Sequence, residues 1–324
     1  MTSLNTKGTL KAQKRSSYAL LIFGGISFFM LIISPALSAS LVRDGLRLCA
    51  LTVVPSLFPF MALSEIIIGC LPSEKILQSA PRKRFFGLPA HCLLAILLGV
   101  LCGAPVGARC ASSLYRDGLI SADEFSRLLP LCNIPSAPFI ICAVGELTFG
   151  DRALGAILYI SCLVSALVCG YLSGKIFRTK NSRGKSAPPT GRRSGAEDFS
   201  AISLFCDSVC SASTSVISIC AFITFFYTFV GILRSLFSPP SLFSPLLFGF
   251  FEMTGGVTLA PHSGASGIYL AAAILGWSGL SVHLQVMNVC RNQTVSFKPY
   301  FFSKLLSFLL CPLLVFLICS LKSI

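Results

Sequence analysis

Residues 40–66, SLVRDGLRLCALTVVPSLFPFMALSEI, align without a gap, at an offset of 163, with residues 203–229, SLFCDSVCSASTSVISICAFITFFYTF. Ser40 faces Ser203, Leu41 faces Leu204 and Asp44 faces Asp207. In both stretches a short polar-headed segment feeds an apolar run of membrane length. A second pair follows in the same order, Gly103–Leu129 against Gly279–Leu306 with small insertions, ending with Ser126-Arg127-Leu128-Leu129 opposite Ser303-Lys304-Leu305-Leu306. Duplicated membrane halves are a common transporter plan, with the site between the copies. Chance similarity between Leu/Ser/Phe-rich segments is the competing explanation.

Composition identifies the solvent around these stretches. With 54% hydrophobic and 12% charged residues and a mean hydropathy of +0.81, a chain in water would expose far too much apolar surface. It reads as a polytopic membrane protein in contact with the lipid bilayer. The net charge of +14 sits in bridges between apolar runs: Lys7, Lys11, Lys14 and Arg15, then Lys75, Arg82, Lys83 and Arg84, then seven basic residues from Lys175 to Arg193. That placement is a topology and headgroup signal. No aromatic-interleaved basic stripe points to nucleic acid. Most of the fifteen cysteines lie inside apolar runs and none forms a C-x-x-C pair, and His91, His262 and His283 lack ligand spacing, so neither a metal nor a cofactor is expected.

Apolar runs cover 18–39, 50–71, 89–108, 153–174, 214–237 and 300–321. Two more, 125–149 and 242–261, are interrupted, and 265–287 turns polar toward its end. The first run ends in Ala-Leu-Ser-Ala-Ser at 36–40, faintly like a signal-peptidase site, but its length reads as a retained anchor. Residues 175–200, with two prolines, three glycines and seven basic groups, form a linker, and this segment and the basic N-terminus are expected in the cytoplasm. Five runs between residues 17 and 175 break that parity, so one must enter and leave on the same side. Pro135 and Pro138 nominate 125–149 as a re-entrant hairpin with its tip at Asn133-Ile-Pro-Ser136-Ala-Pro138.

Several residues carry candidate roles. Gly99, Gly103 and Gly107 fall at four-residue spacing, a helix-packing pattern, and Pro105 between them would open a helix and expose carbonyls. Ser281, His283 and Gln285 recur every second residue; a continuous helix spreads them around its circumference, whereas an extended segment sets them on one side. Glu252 within LLFGFFEMTGGVTLA must be protonated, paired, facing a cavity, or held at the interface, and Thr254, Gly255 and Gly256 beside it offer a hydroxyl and a loosened backbone. Asn133 and Ser136 offer an amide and a hydroxyl to a neutral polar solute. Glu65 reads as interfacial, and Glu146 and Asp151 as loop residues. No P-loop, Gly-x-Ser-x-Gly elbow or His-Glu-x-x-His motif is present, so enzyme activity is not expected.

The run LLGVLCGAPVGARCASSLYRDGLISADEFSRLLPLCNIPSAPFIICAVG, with VVPSLFPFMALSEI before it and GWSGLSVHLQV and KPYFFSKLL after it, resembles the YlbJ-type sporulation integral membrane proteins. These fall within the wider group carrying the nucleoside-recognition, or Gate, domain. The resemblance spans roughly residues 40–320; where that family shows an Asn-Asn pair, this chain has Cys132-Asn133. It implies a multi-pass protein of the mother-cell or forespore membrane in an endospore former, with kinship to the gates of nucleoside carriers and of the ferrous-iron transporter. Fold kinship does not supply a substrate. The expectation is an all-α transmembrane bundle of two related halves with re-entrant or broken helices. Residues 1–39 form a basic arm and anchor, 40–174 a first Gate-like repeat, 175–202 the linker and 203–324 a second repeat. The expected role is moving or gating a small polar solute, nucleoside-like by kinship; the alternative is a non-transporting component of the forespore envelope. Further copies of the chain or other sporulation membrane proteins are the partners considered.

Overall fold

The computed structural model describes residues 3–70, 84–178, 201–237, 240, 242–293 and 295–322; most of the linker and Lys75, Arg82 and Lys83 lie outside these. Helix α1, Ser3–Ile33, ends at Ser34, and Pro35 opens α2, Pro35–Leu48, where its missing N–H costs nothing. A π-helical turn at Cys49–Val53 joins α2 to α3, Val54–Cys70. Pro55 cannot donate to the Leu51 carbonyl, and the backbone widens just ahead of it. Phe23 of α1 packs at a tilt against Phe225 and Phe229 of α9, Ala201–Phe237, the stretch of α9 that also meets Gly45 of α2. The chain therefore doubles back at Ser34.

A short antiparallel ribbon, β1 Arg84–Phe85 with β2 Leu88–Pro89, turns through Phe86 and Gly87 at positive φ and leads into α4, Cys92–Cys102, and α5, Ala104–Arg116. These two helices lie side by side. Gly99 and Gly107 face each other across the pair, and the Cys132 carbonyl sits where a Cβ on either would fall. The glycine spacing thus does not line one helix face; it closes a hairpin whose tip is Gly103.

A capping box between Ser121 and Glu124 starts α6, Ala122–Cys132. After the break at 133–138 the chain continues as α7, Phe139–Thr148, wound as a π-helix, and then α8, Arg152–Ile176. Contacts with α8 settle the path. Gly145 meets Gly155, Leu131 meets Gly170 and Arg127 meets Gly174. As α7 and α6 are followed backward through 18 residues, α8 advances by 19, so 122–148 is one discontinuous helix antiparallel to α8 along its whole length. The expected re-entrant hairpin at 125–149 is therefore wrong, and Asn133–Pro138 is not a hairpin tip. The two prolines interrupt hydrogen bonding without reversing direction, because α8 supplies a continuous packing surface on both sides of the break. The segment in which the chain reverses on itself is 92–116.

The second half repeats this order. Helix α10, Phe243–Phe251, and α11, Met253–Leu259, form a hairpin with Glu252 at its tip and the backbones touching at Gly249 and Gly256. A 3-10 segment, Ala260–Ser266, leads to α12, Gly267–Trp277, and α13, Gly279–Val289, broken at Ser278, and then to α14, Lys298–Lys322. The contacts Tyr269 with Phe316, Ser278 with Lys304 and His283 with Tyr300 show α12 and α13 running antiparallel to α14 as one broken helix.

Five stretches, Pro35–Ile67, Arg152–Ile176, Ala201–Phe237, Met253–Val289 and Lys298–Leu321, are long and apolar enough to cross a bilayer. Within Met253–Val289 the part that lies along α14 is 267–289, since Gly264 leaves helical geometry and α11 belongs to the hairpin. Leu20, Leu21, Phe28, Ile217 and Leu309 all stand exposed on the outer surface, as lipid-facing side chains do. Leu41 meets Gly231, Gly45 meets Thr224, and Gly69 meets Leu204, while the Cys49 thiol donates to the Cys220 carbonyl at 3.7 Å. The two stretches that align in parallel as sequence thus pack antiparallel in space. The second sequence pairing, 103–129 with 279–306, falls on unlike elements: a hairpin arm plus α6 on one side, α13 plus the first turns of α14 on the other. Shared small and apolar composition accounts for that match.

Candidate functional site

Both hairpin tips and both helix breaks meet at one place. Gly103 has φ +95, open to glycine and costly for other residues, and its backbone presses on Ser136, whose Cβ would lie 3.0 Å from a Gly103 Cβ. In the second half Gly279, φ +80, lies against the Met253 backbone nitrogen. Each tip thus seats on the broken helix of its own half. Ser278 adopts φ +76, a conformation that costs a non-glycine residue about 1–2 kcal/mol; such strain persists only where the surroundings enforce it.

Glu252 is 1% exposed, enclosed by protein at the tip of the second hairpin. It caps α11: its carboxylate accepts from Thr254 N at 2.9 Å and Gly255 N at 2.6 Å. The helix N-terminus supplies partial positive charge to the buried acid. Asn133 caps the end of α6 differently. Its side-chain amide donates to Leu129 O at 2.7 Å, and its carbonyl accepts from Lys304 Nζ at 2.7 Å. Lys304 also donates to Ser278 Oγ at 2.8 Å, and that hydroxyl in turn donates to Leu275 O. A buried ammonium costs several kcal/mol unless its protons are bonded, and here the C-terminal ends of two half-helices receive it. Among the described residues the ion pairs are Arg84–Glu124, Arg109–Glu65 and Arg127–Asp123, so neither Glu252 nor Lys304 relies on an opposite side-chain charge.

Between the tips lies a cavity of about 60 Å³. Gly103, Ala104 and Pro105 line it from the first tip, and Glu252, Met253 and Thr254 from the second. Pro135, Ser136 and Phe139 come from the first break and Ser281, Val282 and Gln285 from α13, while Val53, Leu57, Ile219 and Ile223 form an apolar wall. Ser281 Oγ and Gln285 Nε2, one turn apart, are buried and make no hydrogen bond among the described residues.

Of the seven residues proposed from sequence, Ser136, Glu252, Thr254, Ser281 and Gln285 line this cavity, whereas Asn133 and His283 do not. The segment holding Ser281, His283 and Gln285 is a helix, not an extended strip. Ser281 and Gln285 therefore share one face, and His283 turns away to Tyr300 Oη at 2.9 Å and edge-on to Trp277. Pro135 and Pro138 flank the first break, and Gly256 permits the second hairpin to close. Glu65 is paired with Arg109, which also bonds Ser211 and Ser215 of α9 and ties the first hairpin to the long helices. Glu146 lies in α7, and Asp151 caps α8. Lys304 was missed by sequence reading although a lysine inside KPYFFSKLLSFLLC is an intramembrane charge of the kind that marks function.

These features define an integral membrane protein with two hairpins and two discontinuous helices converging on one largely apolar cavity that a few polar side chains line. The chain is 27% identical over 326 residues to the sporulation integral membrane protein YlbJ of Bacillus subtilis, with 86% of this chain and 78% of that protein aligned. The similarity supports a YlbJ-type assignment. No family model matches the chain, and no solved structure matches it.

Proposed function

We propose that this chain is a sporulation membrane protein that gates or carries a small, neutral polar solute through the cavity between the two hairpin tips. The observation that carries the reading is that Ser281 and Gln285 line that cavity while Ser281 Oγ and Gln285 Nε2 are buried without a hydrogen-bond partner among the described residues. A buried polar group without a partner costs about 1–3 kcal/mol, and a solute hydrogen-bonding to both would repay that cost. The common element order of the halves and the antiparallel packing of α2–α3 on α9 support two inverted repeats with a site between them. The sporulation role comes from the similarity to YlbJ.

The volume of about 60 Å³ argues for a solute of few atoms in this closed arrangement. A nucleoside would call for a pocket of roughly 300 Å³ or more, hence separation of the hairpins. In this reading α1, α2–α3, α6–α7 and α8 cross, and 92–116 re-enters. That leaves the N-terminus and the linker on the same side, the cytoplasm by their basic charge, and the protein performs no covalent chemistry. Replacing Ser281 and Gln285 together by apolar residues tests the proposal: sporulation should fall while protein level holds. A normal spore count would favour a purely architectural role in the forespore envelope.

A further inference from the structure

The C-terminal ends of α6 and α12 approach each other at the centre of the bundle, each terminated by a break in the backbone. Helix C-termini carry partial negative charge and free carbonyls. Where discontinuous helices meet in this way, unwound carbonyls and half-helix C-terminal ends form sites for monovalent cations. Here that position is filled from within the chain. Lys304 Nζ bonds the Asn133 carbonyl at 2.7 Å and Ser278 Oγ at 2.8 Å, and the side chain is 3% exposed. Two further oxygens belong to the same neighbourhood of sequence: Asn133 Oδ1, and Ser307 Oγ one turn along α14, both buried and without a partner. Among the described residues no carboxylate pairs with Lys304.

We infer that the Lys304 ammonium is a tethered replacement for a bound monovalent cation, joining the two broken helices so that the closed arrangement assembles without a free coupling ion. Deleting the ammonium then uncovers a small-cation site formed by Asn133 and Ser278. The inference stands apart from the solute reading, because its test measures the fold and not transport.

The test compares thermal unfolding of the purified full chain and of Lys304→Ala and Lys304→Met in detergent, in choline, sodium, ammonium and methylammonium chlorides at equal ionic strength. The original chain should melt at the same temperature in all four salts. Lys304→Ala should melt several degrees lower in choline and recover at least half of that loss, saturably, in ammonium, methylammonium or sodium. Lys304→Met, whose side chain fills the space, should be destabilised in every salt and recover in none. An alanine variant that matches the original chain in choline, that fails to fold or to recover in all the small cations, or that responds to salt no more than the original chain does, overturns the inference.

Discussion

The double variant Ser281→Ala/Gln285→Leu separates a solute site from ordinary packing. Both side chains are buried in α13, and neither Ser281 Oγ nor Gln285 Nε2 has a hydrogen-bond partner. If they serve only the fold, their removal should weaken it. If they are held ready for a ligand, the fold bears their desolvation, and deleting them should stabilise it. Each orphan costs about 1–3 kcal/mol. Taking the lower limit gives a gain of about 1 kcal/mol per group. The leucine keeps most of the glutamine volume and packs against Val53, Leu57, Ile219 and Ile223, apolar neighbours that line the same space. At roughly 2–4 °C per kcal/mol for a larger domain, the melting temperature in detergent should rise by about 4–8 °C. In sporulating cells the same variant, at normal protein level, should give a low spore count. A lower melting temperature would refute the claim that these groups are unpartnered, and a higher one with normal sporulation would refute the solute site. The opposition of stability and activity is the expected signature of a binding site.

Three other outcomes follow from the geometry. Gly107→Ala should cost about 1–3 kcal/mol by overpacking, because its Cβ falls on the Cys132 carbonyl, whereas Gly24→Ala, with nothing within 4 Å, should be neutral; thermal melts of the two variants check this. Glu252→Ala strips the acceptor from Thr254 N and Gly255 N and should cost about 2 kcal/mol, while Glu252→Gln keeps an acceptor oxygen and should lose less in the same assay. Cysteines introduced at the exposed positions Asp117 and Arg152 should label from opposite sides of the membrane, and labelling from one side would restore the re-entrant path for 125–149.

Legibility varied by the kind of signal. Membrane class followed from composition, and the expectation of one re-entrant segment followed from basic residues flanking an odd number of apolar runs. Which run re-enters did not follow. Pro135 and Pro138 are conspicuous breakers, but a proline break and a chain reversal are different events. The reversal at Gly103 has a glycine at positive φ and two further glycines that let the arms touch, and in sequence those same glycines read as one helix face. Five of the sixteen cavity-lining residues, Ser136, Glu252, Thr254, Ser281 and Gln285, stand out in sequence as polar groups embedded in apolar runs, which is a strong signal. Lys304 was overlooked because near the start of a long helix it passes for an interfacial charge.

Sequence by itself determined the solvent, the helical class, the basic bridges and the polar residues that must find partners in a low-dielectric interior, because those depend on composition and local spacing. Tertiary structure alone decided which runs fold back as hairpins and which continue as broken helices, since that depends on whether α8 and α14 lie alongside both halves of a broken helix. It also decided that the paired stretches run in opposite directions, and that Lys304 is met by two helix ends brought together from distant parts of the chain, whereas Glu252 caps the helix that directly follows it. Helix dipoles act within the first or last turn, so their effect appears only when folding brings those turns to the same point.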